Sequence, residues 1–265
     1  LGDFVPATEL RYQEEVISEK SYYEFYQEQS NVNVEFIEQN KLDFPEILKV
    51  YTFGRGKIAD YPKPQRNNSL GVYNYYLLDG ASLLPVLALE IQPNDVVGDF
   101  CAAPGGKALM IMLTMRPKSL RCNDSSLSRS VRLKSVFACY IPKISNLHEI
   151  VKFTSVDARS ILEQNVYDKI LVDVPCTNDR VSVLENNNNI FKVSRNKERM
   201  ELPQSQMDIL YAGLLSLKVN GYLVYSTCSL SPIQNDGVVH MALKRIWEET
   251  NYEFAVCNLR EAFRP

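Results

Sequence analysis

Histidine is nearly absent from this chain, with only His148 and His240, and the six cysteines at 101, 122, 139, 176, 228 and 257 form no C-x-x-C pair. Ligand sets of the structural-zinc type are therefore missing, so no metal is expected. Nothing runs for about 18 apolar residues, which argues against a transmembrane helix and a membrane partner. The first residues, LGDFVPATEL, supply neither a charged n-region nor an apolar h-region, so no targeting peptide is read here. With no secretory signal and irregular cysteine spacing, a disulfide framework is not expected. The cysteines read as free thiols in a reducing compartment, with Cys122, Cys139 and Cys257 as core packing. Two phosphate-binding fingerprints are also lacking: there is no G-x-G-x-x-G, and G-x-x-x-x-G-K-[ST] fails because its first glycine is missing and Ala108 follows Lys107. Finally, a net charge of −3 lacks the basic excess of a protein that grips nucleic acid by charge alone.

The composition that remains is globular: 265 residues, 45% apolar and 23% charged. Charge is unevenly spread. Residues 1–50 hold eleven acidic and four basic side chains, a net of −7, together with Tyr22, Tyr23 and Tyr26 and no sustained strand alternation. The remainder holds 25 basic and 21 acidic side chains, a net of +4. A turn-rich basic connector follows, with Gly54, Arg55, Gly56, Lys57, Pro62, Lys63, Pro64 and Arg66. We read residues 1–65 as an extension and connector, and 66–265 as the main domain.

Within that domain GASLLPVLALEI predicts a helix, capped by Asp79 or Ser82 with Pro85 in its first turn. From residue 95 short apolar runs alternate with helical stretches. DVVGDFCA, SLRCND, EIVKFTSV, KILVDVP and GYLVYSTCS read as five strands, and YEFAVCNL as a sixth. GGKALMIMLTM, SSLSRSVRLKSVFACY, LPQSQMDILYAGLLSLK and a last stretch near 232–249 read as helices. In the third of these, Pro203 marks the start and Asn220-Gly221 the stop. This rhythm predicts an α/β fold, a doubly wound, mostly parallel sheet with helices on both faces.

Ligands of such sheets sit beyond the carboxyl ends of the strands. The first strand ends in Asp99-Phe100-Cys101-Ala102-Ala103-Pro104-Gly105-Gly106-Lys107, where small residues admit a close ligand and a helix start offers free N–H groups. Asp124, 19 residues beyond Gly105, can accept from both hydroxyls of a ribose. A plain strand-to-helix turn with a capping aspartate is the structural alternative. At the same edge emerge Asp173-Val174-Pro175-Cys176 and Ser226-Thr227-Cys228-Ser229. A thiolate, a carboxyl group and a second acid/base group suit attack on C6 of a pyrimidine, which turns C5 into a nucleophile for an electrophilic methyl group.

In this order, the Asp99–Lys107, Asp173–Cys176 and Ser226–Ser229 motifs closely resemble the Nop/Sun family of S-adenosylmethionine-dependent RNA cytosine-5 methyltransferases. AspPheValProAlaThr at 3–8, the 79–89 run, AsnAsnIlePheLys at 188–192 and SerThrCysSerLeuSer at 226–231 are similar to its mitochondrial ribosomal-RNA branch. The resemblance spans nearly the whole chain. It implies a Rossmann-like class I methyltransferase domain, with Gly105, Gly106 and Lys107 at the methionine end of the cofactor and Asp124 on its ribose. Arg129 matches a further contact, Asp157 and Ala158 fit the adenine pocket, and Asp173 lies between cofactor and base. Cys228 is implied as the nucleophile and Cys176 as the group assisting release; the residues alone leave the two cysteines unordered.

The resemblance further implies a mitochondrial matrix location, a role in ribosome assembly and a partner of the mitochondrial transcription-termination-factor family. Three departures stand out: Gly98 inside the first strand where a branched residue is usual, Ala158 where some relatives have glycine, and a chain ending at Pro265 before the final antiparallel strand. Lys192, Arg195, Lys197 and Arg199 form a basic run beside the predicted site, read as RNA phosphate contacts to a single-stranded or flipped cytosine, or as a solvated helix face. Two rival functions are a scaffold subunit in ribosome assembly and an NAD oxidoreductase, the latter leaving the strand-end cysteines unexplained.

Overall fold

The computed structural model describes residues 34–52, 62–182 and 189–263. In chain order its strands are β1 (Glu35–Glu38), β2 (Val96–Asp99), β3 (Ser119–Asn123), β4 (Val151–Thr154), β5 (Tyr167–Asp173), β6 (Leu217–Ser226) and β7 (Ala255–Asn258). The helices are α1 (Leu83–Ala88), α2 (Gly106–Leu113), α3 (Leu127–Tyr140), α4 (Leu147–Ile150), α5 (Asp179–Ser182), α6 (Asn196–Ser216) and α7 (Asp236–Glu249).

Five strands form one sheet in the order β4-β3-β2-β5-β6, and every neighbouring pair is parallel. The chain leaves β2 toward β3 on one side and later returns to β5 on the other. That reversal puts the topological switch point between β2 and β5, where the loops after them part and leave a crevice. Alternation along β5 explains the two layers. Leu171 joins Val97, Leu109, Ile111, Leu133 and Phe137 on one face, whereas Ile170 and Val172 join Phe100, Tyr167 and Ile209 on the other. There α6 and α7 pack through Leu210, Leu214, Val238, Ala242 and Ile246. A strand buried on both faces reads as a continuous apolar run, as ILV in β5 does.

The α1 region starts where expected. Asp79 Oδ1 accepts from Ala81 N at 3.3 Å over a short 3-10 turn, Pro85 falls in the first turn of α1, and Ser82 makes no side-chain cap. Three other expectations are corrected. The sixth strand, β7, is not part of the main sheet: it pairs in parallel with β1, from Glu35↔Ala255 to Glu38↔Asn258, in a separate two-stranded sheet. The extension therefore contains a strand that its acidic composition concealed. Helix α6 begins at Asn196, so Pro203 lies in its interior. Arg195 with Glu198 and Lys197 with Glu201 are spaced to support the added turns.

Asn220-Gly221 does not stop that helix, which ends at Ser216; it makes a bulge in β6. Pairing jumps from Tyr167↔Leu217 to Lys169↔Tyr222, with Asn220 at φ +63. A Cβ at Gly221 would stand 2.9 Å from Asp168 O, which is why only glycine fits.

Gly98 also has a packing reason. A Cβ there would meet Phe100 Cε1 at 3.0 Å and Tyr167 Cδ1 at 3.1 Å. Those two rings pack edge to face with centroids 5.8 Å apart, so they occupy the space a branched residue would need. Of the buried-cysteine expectations, Cys122 is fully buried but Cys139 and Cys257 are only half-buried. Among the described residues, β6 has β5 as its only strand neighbour. The tyrosines at 22, 23 and 26, the 3–8 motif and Gly54, Arg55, Gly56 and Lys57 lie outside the described residues. So do residues 183–188 of the loop that carries the asparagine run.

Candidate active site

The loop after β2 turns through a cis Ala103-Pro104 bond into Gly105, whose φ of +115 is open only to glycine. A Cβ at Gly105 would also press on Leu133 Cδ1 at 3.0 Å, and one at Gly106 on Leu78 Cδ1 at 2.9 Å. Both glycines thus keep the start of α2 close against its neighbours. Asp124, just past β3 and buried, accepts from Ala103 N at 3.3 Å and from Ser126 N at 3.0 Å, and its Oδ2 lies 3.3 Å from Arg129 Nη2. Arg129 in turn donates to Ala103 O at 2.6 Å. Asp124 and Arg129 therefore clamp the loop from the side of β3 and α3.

A cleft opens beside this loop, lined by Phe100, Cys101, Asp124, Arg129, Ala158 and Ile209 among others. A mostly polar cleft that also has Phe100, Ala158 and Ile209 among its lining, with the buried Asp124 carboxylate at one side, suits a nucleoside. Asp157 and Ala158, which the resemblance places at an adenine pocket, both line this cleft, and Asp157 is engaged: Arg159 donates to both its oxygens and holds its carboxyl below the usual range. Arg159 was not singled out from sequence.

Lys107 and Asp173 meet across the switch point. Lys107 Nζ donates to Asp173 Oδ2 at 2.8 Å, and Ser226 Oγ donates to Asp173 Oδ1 at 2.6 Å. One carboxylate thus ties α2, β5 and β6 together. Behind it Asp99 is 1% exposed, and neither oxygen has a hydrogen-bond partner among the described residues. Burial pushes its pKa up to about 8, with Asp173 adding to the rise and Lys107 opposing it. The sequence placed Asp99 inside a motif without giving it a role.

The two strand-end thiols are brought together. Cys176 Sγ lies 3.1 Å from Cys228 Sγ, and Cys228 N donates to Cys176 Sγ at 3.3 Å. The Cys228 S–H and the backbone N–H groups of Asn178 and Cys228 lower the Cys176 pKa to about 6 against the cost of burial. Cys228, as donor to that thiolate and partly buried, is pushed up. Asn178 Oδ1, 3.3 Å from Cys228 Sγ, is a second acceptor for the same proton. Asn178 sits at φ +48, a backbone setting asparagine tolerates, and that is the only sequence signal it offered.

Hydrogen bonds stitch the two cysteine loops: Thr177 Oγ1 to Ser229 Oγ at 2.8 Å, and Gln234 Oε1 from Thr177 N at 3.2 Å.

The basic run spans a 3-10 turn, with Lys192 before it and Arg195 ending it, and the first turns of α6, with Lys197 and Arg199; this segment lies at the edge where the strands end because α6 leads back to the start of β6. Much of its charge is locally occupied. Arg195 Nη2 is 2.6 Å from Glu198, Lys197 Nζ 3.9 Å from Glu201, and Arg199 lies over the Phe191 ring at 5.6 Å. Lys192 is exposed.

A Rossmann-like sheet with a cleft at its switch point and paired thiols just past the neighbouring strands β5 and β6 defines a methyltransferase-type scaffold. The family model described as 16S rRNA methyltransferase RsmB/F matches residues 86–261, and the chain belongs to that family. It is 48% identical over 220 residues to the 5-cytosine rRNA methyltransferase NSUN4 of Mus musculus, covering 82% of this chain and 58% of that protein. The Bos taurus counterpart is 50% identical over 199 residues, covering 74% and 52%. This chain spans little more than half the length of these relatives. Among solved structures, NSun6 from Pyrococcus horikoshii with SFG is 29% identical, with a TM-score of 0.53 over 64% of this chain and 42% of that one.

Proposed function

We propose that this chain uses S-adenosylmethionine to methylate C5 of a cytosine in RNA, namely mitochondrial ribosomal RNA. The observation that carries the reading is the thiol pair 3.1 Å apart, next to a carboxylate held by Lys107 and Ser226. Family membership and the names of the relatives support it. When bound, the cofactor supplies an electrophilic methyl group. The cleft beside Asp124 and Ala158, with polar groups, an apolar patch and a buried carboxylate, fits the nucleoside part. Gly105, Gly106 and Lys107 then face the methionine end, Arg129 braces the loop, and Asp157 flanks the adenine site.

Cys228, the more exposed thiol, attacks C6 and passes its proton to the Cys176 thiolate beside it. Asp173, between cofactor and base, takes up a proton when the bound base displaces Lys107, donates it to the ring nitrogen and recovers it when the adduct collapses. Cys176 releases the proton taken from Cys228 to solvent while the adduct stands; after transfer its thiolate, near C5, removes the C5 proton as the C6–S bond breaks and Cys228 leaves as thiolate, so one proton is released per methyl group transferred. Lys192, Arg195, Lys197 and Arg199 serve as phosphate contacts. A helical-repeat partner of the mitochondrial transcription-termination-factor family adds RNA-binding surface, which the small excess of +4 over residues 51–265 calls for. A matrix location and a part in ribosome assembly belong to the same reading, and a scaffold subunit needs no methyl donor.

The lowered pKa of Cys176 favours a rival assignment in which Cys176 attacks. One experiment decides both. RNA carrying 5-fluorocytidine, incubated with protein and S-adenosylmethionine, is expected to trap an adduct on the peptide containing Cys228. Loss of the adduct in Cys228→Ala and its persistence in Cys176→Ala support the order given. An adduct mapped to Cys176 reverses the two roles, and no adduct in the parent protein overturns the reaction.

A further inference from the structure

Leu230 stands two residues beyond Cys228 and is 86% exposed, yet the backbone that carries it is pinned on both sides. Asn235 Nδ2 donates to Ser229 O and to Ser231 O, each at 3.0 Å, so one side chain holds the carbonyls before and after the leucine. Asp179 Oδ2 accepts from Leu230 N at 2.5 Å and from Ser229 Oγ at 3.2 Å, and Ser229 Oγ accepts from Ser231 N at 3.1 Å. Asp179 opens α5 three residues after Cys176, so the platform is fastened to the chain around both cysteines. A single exposed apolar side chain carries no message by itself. This one is the outward member of a buried polar network, with Ser229 inside and Leu230 outside.

Two residues of chain span at most about 7 Å, so Leu230 stands at the rim of whatever base reaches the Cys228 sulfur. A base that reaches a thiol at a strand end has left its stack, and the gap it leaves exposes the faces of its neighbours. Apolar side chains without hydrogen-bonding groups fill such gaps irrespective of sequence. A fixed backbone makes the leucine effective, because its position does not have to be ordered at the moment of binding.

We propose that Leu230 is a positioning residue that enters the RNA stack in place of the target cytosine and holds that cytosine out toward Cys228. The proposal rests on the reading that a cytosine in RNA is the substrate.

The test uses the full chain and two hairpin RNAs built around the cytosine it methylates in a ribosomal RNA transcript. In one the cytosine faces guanine, and in the other an abasic site that leaves it loosely stacked. Leu230→Ala is expected to lose about tenfold or more in kcat/KM on the paired hairpin and less than about twofold on the abasic one, with Leu230→Met recovering most of the loss. Pyrrolo-cytidine at the target position is expected to brighten with the parent protein and stay dim with Leu230→Ala. Equal losses on both hairpins, or none, overturn the wedge and leave the methylation reading standing. No transfer by the parent protein to either RNA overturns that reading, and the wedge falls with it. Unchanged S-adenosylmethionine affinity in Leu230→Ala separates a wedge from a folding defect, and a matching loss of that affinity overturns the proposal.

Discussion

Cys176 and Cys228, 52 residues apart in sequence, lie with their sulfurs 3.1 Å apart because β5 and β6 are parallel neighbours in register from Lys169↔Tyr222 to Asp173↔Ser226. Each cysteine follows its strand by two or three residues, so the register of the sheet sets the distance between the thiols. One proton is shared between them, and the ionised form rests on Cys176.

Alkylation should expose this asymmetry. The rate of iodoacetamide modification at Cys176, followed by peptide mapping, is expected to rise with pH around a midpoint near 6. In Cys228→Ala the donated S–H is lost, the thiolate is less stabilised, and the midpoint should move up toward the ordinary thiol value of 9.0. A midpoint that stays put in the variant would sink the shared-proton account.

Asp99 should leave a mark on stability. Its folded pKa of about 8 lies above the ordinary aspartate value of 3.8, so between those limits the folded chain holds a proton that the unfolded chain has lost. Stability from this group is complete below the lower limit and lost as pH rises through the upper. Asp99→Asn is expected to be more stable than the parent at pH 9 by on the order of 1–3 kcal/mol and nearly equal at pH 4. Thermal denaturation across that range checks it, and parallel curves would refute it.

The Lys107–Asp173 pair is partly exposed, so its worth lies in positioning more than in stability. Asp173→Asn should weaken S-adenosylmethionine binding by about tenfold while shifting Tm little, since Lys107 and Ser226 lose the group that aligns them. Calorimetric titration alongside a melting curve separates the two effects.

Gly98→Val tests the packing of the first strand. Valine has the better strand propensity, but its branches would meet the Phe100 and Tyr167 rings. The substitution is expected to cost about 1–3 kcal/mol, read from urea denaturation. A gain in stability would show that the rings yield freely.

Much of this architecture was legible in the sequence, for identifiable reasons. Strands buried on both faces leave continuous apolar runs, such as ILV in β5, and the small residues from Ala102 to Gly106 announce a loop that approaches something closely. The edge at which Cys176, Cys228 and Asp173 converge followed from parallel topology alone. What stayed hidden was set by tertiary context. Gly98 looked like a weak strand residue because the rings filling its space come partly from another strand. Pro203 looked like a helix start because the local ion pairs that extend α6 upstream of it depend on side-chain spacing. Asn178 and Gln234 are polar residues whose partners lie on another segment, and no periodicity marks such residues.

The parallel pairing of β1 with β7 joins residues some 220 positions apart, from Glu35↔Ala255 to Glu38↔Asn258. Among the described strand pairs it carries the greatest loop-closure penalty, since the whole five-stranded sheet lies within the loop it closes. During synthesis β1 waits unpaired until Ala255–Asn258 has emerged, while the five-stranded sheet is already complete in sequence by Ser226. The small sheet is therefore a late-closing clasp, and assembly of the thiol pair does not depend on it.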